Sequence, residues 1–270
     1  MKRRRLAILA TILIGAAFAT MPLPVRAQNE SPPISDSQIP SYIIAAVNSP
    51  DRPAADKALD AGRKPAQMLA FFGIKPGMKV VDLSAGAGYT TELLALVVGP
   101  TGKVYSQNPD LPQMAKMLAA WHERLKQPAL SNVVAIEKPA DDPNLLPVFS
   151  DSLDAVIINM NYHDLVHYKV NTRRMNKYIF RMLKKAGVYG IIDNSAQAGS
   201  GTRDVGTLHR IDERYVINQV AEAGFRLDGS SSALRNPNDN WTWLVFKHRG
   251  QQDRFMLKFV KPFKMRANPL

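Results

Sequence analysis

Val80-Val81-Asp82-Leu83-Ser84-Ala85-Gly86-Ala87-Gly88-Tyr89 is the stretch that decides the fold. A short apolar run ends in a carboxylate, passes through two glycines, and enters Thr90-Thr91-Glu92-Leu93-Leu94-Ala95, which has helical spacing. Strand, glycine turn and helix N-terminus in one stretch form a geometry suited to nucleotide-like ligands. Glycine lets the backbone approach a ligand where a Cβ would clash. In dinucleotide-binding folds the acidic residue follows the glycines by about 20 positions. Here Asp82 precedes them, and Thr91 stands where a third glycine would be. The chain has no G-x-x-x-x-G-K-[ST], so a P-loop is excluded.

Composition narrows the class. The 270 residues are 46% hydrophobic, enough for one large domain with its own core. Cysteine is absent, which excludes disulfides, thiolate zinc sites and thiol catalysis. Lys2-Arg3-Arg4-Arg5, the apolar run from Leu6 to Thr20, and Val25-Arg26-Ala27 before Gln28 have the anatomy of a cleavable signal peptide. The apolar run is too short for a membrane anchor, and Pro22 and Pro24 follow it. We therefore expect a signal peptide over 1–27, a periplasmic or secreted mature chain, and no stable membrane insertion after cleavage. Five of the +12 net charges (Lys2, Arg3, Arg4, Arg5 and Arg26) belong to that segment. The remaining positive charges are scattered, which suits a solvated surface leaning toward anionic partners rather than nucleic acid.

Residues 28–40 are polar and proline-rich and read as a disordered linker. The domain is expected over 41–270, opening with helical patterns from Ser41 to Phe72. Strands are expected at Lys79–Asp82, Lys103–Ser106, Asn132–Glu137, Leu153–Asn159 and Val188–Asp193. Helices are expected from Thr90, over Leu111–Lys126, Thr172–Leu183 and Asp212–Ala223. Two last strands, Phe225–Ser230 and Phe255–Lys261, lack a helical crossover, which suits an antiparallel finish. The alternation predicts an α/β, Rossmann-like, doubly wound fold, with a mostly parallel seven-stranded sheet and an antiparallel last strand.

The Asp82–Gly88 loop resembles motif I of the class I S-adenosylmethionine-dependent methyltransferases, with Ser84 in place of the first glycine. Leu183-Lys184-Lys185-Ala186-Gly187 and Leu146-Pro147-Val148-Phe149-Ser150-Asp151-Ser152-Leu153-Asp154 are similar to segments flanking later strands of that family. Arg52-Pro53-Ala54-Ala55-Asp56, Thr207-Leu208-His209-Arg210-Ile211-Asp212 and Asp253-Arg254-Phe255 resemble a bacterial exported methyltransferase group.

The resemblance implies S-adenosyl-L-methionine as cofactor, held through Asp82, Ser84, Gly86 and Gly88. It implies that Asn108 grips the ribose, although a carboxylate is usual there and Asn108-Pro109 also reads as a plain turn. Asp141 or Asp142 would meet the adenine, or simply solvate a loop. The segment Asn159-Met160-Asn161-Tyr162-His163-Asp164 would face the transferred methyl group. Asn161 would touch the cofactor, and Tyr162, His163 and Asp164 are the catalytic candidates. The alternative for His163 and Asp164 is local packing and helix capping. His209 with Arg203 and Arg210 reads as a lid or acidic-substrate element, and Trp241 and Trp243 as a pocket wall or core packing. No metal site is expected, because His163-x-x-x-His167 has no third partner in sequence.

The expected activity is methyl transfer to a small-molecule substrate, with anionic acceptors favoured. The alternative is a catalytically silent binding protein of the same fold in the periplasm, which export, Ser84 and Asn108 favour. A hydrolase is disfavoured because Ala198-Gly199-Ser200-Gly201 lacks the G-x-S-x-G spacing. Oligomeric state is not encoded in any feature of the sequence.

Overall fold

The computed structural model describes residues 30–146 and 150–263. The expected signal peptide with its cleavage point at Gln28, and Pro147-Val148-Phe149, lie outside the described residues.

The chain forms one mixed sheet flanked by helices. In chain order the elements are β1 (Glu30–Ser31), α1 (Ser41–Val47), α2 (Ala54–Lys57), α3 (Asp60–Arg63), α4 (Pro65–Phe72), β2 (Lys79–Leu83), α5 (Tyr89–Val98), β3 (Lys103–Asn108), α6 (Ala115–Arg124), β4 (Val133–Glu137), β5 (Leu153–Asn159), α7 (Tyr162–His167), α8 (Thr172–Met182), β6 (Leu183–Asn194), α9 (Glu213–Ala221), β7 (Arg226–Ser231) and β8 (Arg254–Val260). Spatial order in the sheet is β1-β7-β8-β6-β5-β2-β3-β4. All pairings are parallel except those of β8, which runs antiparallel to both β6 and β7. The antiparallel last strand is as expected.

The eighth strand is a correction. Residues 28–40 were expected to lack structure, but from Glu30 onward they lie against the domain. Glu30 and Ser31 pair with Ser230 and Ser231. The Glu30 carboxylate accepts from Arg235 Nε at 2.6 Å, Gln67 Nε2 donates to the Ile34 carbonyl at 2.6 Å, and Ile39 is buried. These anchors are backbone and ionic, so hydropathy alone does not reveal them.

Period-two alternation makes the sheet a sandwich. Val80, Ala155, Ile157, Ile192 and Met256 pack with α1, α4, α5 and Trp121 of α6 on one face. Val81, Val156, Ile158, Ile191 and Leu257 pack with α7, α8 and α9 on the other. Strand β6 is longer than expected because Leu183 already pairs with Leu153. The register then jumps to Ala155 opposite Val188, so the Lys184–Gly187 turn becomes a bulge inside the strand.

The chain moves from β2 out to β4 and then returns to place β5 on the other side of β2. That reversal opens a crevice beyond the carboxyl ends of β2 and β5, the general ligand position of open α/β sheets. The loop after β2 ends at Gly88, whose φ is 89°. A Cβ on Gly88 would lie 2.0 Å from Cζ3 of Trp121. Gly86 also has positive φ, at 58°, but a Cβ there would meet nothing within 4 Å. Gly88 serves packing, then, and Gly86 leaves room for a ligand.

Gly88→Ala should therefore destabilise the protein by about 2–4 kcal/mol, combining overpacking with a left-handed alanine. Gly86→Ala should lose only about 1 kcal/mol, from backbone strain alone. Urea unfolding of the two variants measures the difference. Equal losses would show that the indole does not seat against Gly88.

Candidate cofactor and substrate site

A cavity of about 580 Å³ fills the crevice. Its floor is Asp82 with the Ser84–Ala87 loop, its wall is Asn159–Asn161, and its roof combines the α2–α3 region with residues from Val245 to Arg254.

Side chains from neighbouring strands set the loop before any ligand arrives. The Ser84 amide donates to Gln107 Oε1 at 3.0 Å, and Gln107 Nε2 donates to the Lys138 carbonyl at 2.6 Å. The Gly86 amide donates to Asn108 Oδ1 at 2.8 Å, and Asn108 Nδ2 returns to the Gly86 carbonyl at 3.1 Å. From the turn between β5 and α7, Asn161 Nδ2 donates to the Ser84 carbonyl at 2.9 Å. Ser84 adopts φ 60°, a conformation that glycine enters more readily. Beneath the loop, Asp82 Oδ2 accepts from Thr91 Oγ1 at 2.6 Å. Burial pushes the Asp82 carboxyl up to about 7, against the opposing pull of the Thr91 hydrogen bonds. An uncompensated buried carboxyl of this kind favours a cation beside it.

On the facing side, His163 opens α7 and is nearly fully buried. Its amide donates to Asp193 Oδ2 at 2.7 Å, and its Nδ1 lies 2.7 Å from Asp193 Oδ1. Asp193 is itself solvent-inaccessible and also accepts from the Asn194 amide at 2.8 Å. Burial works against a charged imidazole here, but Asp193 and then Asp164 outweigh it and hold the His163 pKa above the usual value. The His163 Nε2 faces His209 Nδ1 at 3.2 Å and Asp164 Oδ1 at 3.4 Å.

The expected site residues divide. Asp82, Ser84, Gly86, Asn161, His163 and Asp164 line the cavity together. Four others do not. Gly88 is covered by Trp121. Asn108 spends its amide on both sides of Gly86, so it braces the loop where a ribose contact was expected. Asp141 pairs with Arg174 at 2.6 Å and accepts from the Asn171 amide, away from the cavity. Tyr162 points into the core, where its hydroxyl accepts from Asn176 Nδ2 at 3.0 Å. In a helix Tyr162 and His163 are adjacent, so one faces the core when the other faces the crevice. His167 lies against Gly206, and it is His209 that reaches His163.

Four lining arginines were missed: Arg63, Arg124, Arg249 and Arg254. Arg254 begins β8, donates to the Gly62 carbonyl at 2.6 Å, and is buried. Burial first, and Arg63 second, push its pKa down to about 10. Arg63 is likewise lowered by burial, with Arg249 adding repulsion, and its guanidinium lies 4.2 Å from the Tyr89 ring centroid. The signal for Arg254 was present: it heads the otherwise apolar run Arg254-Phe255-Met256-Leu257. Asp193 could have been found by its likeness to Asp82, each a carboxylate ending an apolar strand.

A profile of the family Protein-L-isoaspartate(D-aspartate) O-methyltransferase (PCMT) matches residues 43–141. The chain is 29% identical over 187 residues to the ubiquinone/menaquinone biosynthesis C-methyltransferase UbiE of Ectopseudomonas mendocina (strain ymp), spanning 69% of this chain and 64% of that protein. It is 36% identical over 62 residues to the protein-L-isoaspartate O-methyltransferase of Methanothrix thermoacetophila, 22% of this chain and 30% of that protein. The matched region thus spans less than two thirds of either relative. Among solved structures, a SAM-dependent methyltransferase from Aquifex aeolicus superposes with a TM-score of 0.56 at 20% identity, covering 76% of this chain and 94% of that one. With its strand order and its glycine loop, the chain has the fold of the Aquifex aeolicus SAM-dependent methyltransferase structure on which it superposes.

Proposed function

We propose that the protein transfers a methyl group from S-adenosyl-L-methionine to a small acceptor bearing an anionic group. One observation carries the reading: a pre-set glycine loop and a buried, uncompensated Asp82 open onto a cavity large enough for a cofactor and a small molecule. Asp82 suits the cofactor's ammonium, and the space above Gly86 suits its close approach. Bound there, the cofactor supplies an electrophilic methyl group on sulfur. The chain's own residues then position the acceptor, which matters most in a direct displacement. His163, with Nδ1 held by Asp193, presents Nε2 as a proton acceptor for a hydroxyl or amine. Arg63, Arg249 and Arg254 favour an anionic substituent on that acceptor. The PCMT profile and the methyltransferase relatives support the same chemistry.

A silent binding protein is the second reading, favoured by Asn108 in place of a ribose-binding acid. We further propose that residues 1–27 direct export to the periplasm, on the basic, apolar and small-residue order of that segment.

Calorimetry should detect S-adenosyl-L-methionine binding to the wild type and none to folded Gly86→Val. With Asp82 titrating near 7 and a cation arriving beside it, binding at pH 6 should release close to one proton, and at pH 8.5 almost none. Buffers of different ionisation enthalpy read this directly, and Asp82→Asn should lose the release. Absence of heat at millimolar cofactor would sink the cofactor assignment.

Turnover should appear as S-adenosylhomocysteine release with small hydroxyl or amine acceptors that carry a carboxylate or phosphate. Binding without turnover across that set would favour the silent reading. Turnover confined to uncharged acceptors would remove the role given to the arginines. For export, N-terminal sequencing of the native protein should begin at or near Gln28, whereas an intact Met1 would overturn it.

A further inference from the structure

We infer that His163, Asp164 and His209 form a binding site for a divalent first-row transition-metal ion. The three facing atoms make a nearly equilateral triangle. His163 Nε2 to His209 Nδ1 is 3.2 Å, His163 Nε2 to Asp164 Oδ1 is 3.4 Å, and His209 Nδ1 to Asp164 Oδ1 is 3.3 Å. For metal bonds of about 2.0–2.1 Å, ligand atoms lie about 3.4 Å apart in a tetrahedron and about 2.9 Å apart in an octahedron. The triangle therefore fits one face of a tetrahedron without rearrangement, whereas an octahedral face would need each edge to close by about 0.3–0.5 Å.

The surroundings are those of a supported ligand set. With Asp193 accepting a hydrogen bond from His163 Nδ1–H, Nε2 is the ring atom left to ligate, and it faces the other two atoms. A carboxylate behind a ligating imidazole is the usual way such a ring is oriented and made more basic. His209 is held at φ 52°, its carbonyl accepts from Asn194 Nδ2 at 3.1 Å, and its ring packs on Phe246 at 4.7 Å between centroids. The next residue, Arg210, is locked in a fully buried pair with Asp239 at 2.8 Å. With Nδ1 of His163 committed to Asp193, His163 Nε2, His209 Nδ1 and Asp164 Oδ1 are three potential ligand atoms facing one point. A cation at the centre satisfies all three atoms.

Two imidazoles and one carboxylate suit ions such as zinc, iron(II) or cobalt(II) better than magnesium or calcium. His163 and Asp164 line the large cavity, so a small oxygen-bearing molecule there has access to the ion. With an ion bound, Nε2 is a ligand rather than a base, and the ion itself lowers the pKa of a coordinated hydroxyl. The ion site does not depend on the methyl-transfer reading.

The test uses the whole purified chain, stripped with chelator and free of S-adenosyl-L-methionine. Cobalt(II) is titrated while visible d–d absorption is recorded, and zinc(II) is titrated by calorimetry. One equivalent should bind with micromolar affinity or better. His209→Ala and Asp164→Ala should each weaken binding tenfold or more, with circular dichroism reporting the fold. Asp193→Asn, which removes no ligand, should weaken it about 10–100-fold. His122→Ala, outside the cluster, should leave it unchanged. Lack of saturable cobalt or zinc binding by the wild type would overturn the inference, as would binding that survives intact in folded His209→Ala and Asp164→Ala.

Discussion

The carboxylate of Asp193, at the end of β6 and closed to solvent, sets terms that the site around it obeys. A charge there is costly unless its oxygens are occupied, and three donors do so: the His163 amide, the His163 ring and the Asn194 amide. Two of the three come from one residue, which fixes both the start of α7 and the direction of its imidazole. The position of α7 relative to β6 and the chemistry of the cavity wall are thus one arrangement. Removing the carboxylate frees the ring and the helix start together. Replacing the histidine side chain leaves a buried acid with two backbone amides and no imidazole.

A second set of contacts governs the roof. Arg124, at the end of α6, pairs with Glu92 of α5 and Asp56 of α2, and donates to the Ala87 carbonyl at 2.9 Å. Asp60 binds Arg52 through two bonds of 2.7 Å and accepts from the Tyr89 hydroxyl at 2.7 Å. Short helices such as α2 and α3 do not persist on their own. They hold because Arg124 and Arg52 give them ionic partners and Tyr89 of α5 a hydroxyl. Roof and floor of the cavity are consequently coupled, and a ligand touching the loop is also next to the elements that enclose it.

Much of this was legible in the sequence. The apolar runs ending in Asp82 and Asn159 placed β2 and β5, and the glycines placed the loop between strand and helix. His163 and Asp164 were found because a titratable pair follows a buried strand. What was not legible depends on side-chain direction and distant pairing. Asn108 stands where an acid would grip a ribose, yet only the register of β3 beside β2 reveals that its amide reaches Gly86. Tyr162 sits one residue from His163, and a rotation of about 100° per residue sends it to the core. His209 lies 46 positions beyond its partner, a separation no local spacing rule covers. Arg63 falls in the helical stretch from Ser41 to Phe72, and only the fold brings it near Arg254.

The place of β8 has a consequence for how the molecule is made. It is the last strand in chain order, yet it lies between β6 and β7 and supplies their only join in the sheet among the described residues. Synthesis from the N-terminus therefore delivers β6 with an open edge and β7 with only the two-residue β1 as a strand partner. Open edges invite wrong pairings with other chains, so a partly made chain is exposed in the region that will later be its interior. Arg254 arrives with the same strand. A nascent chain halted before it has the glycine loop but lacks the Arg254 side of the cavity.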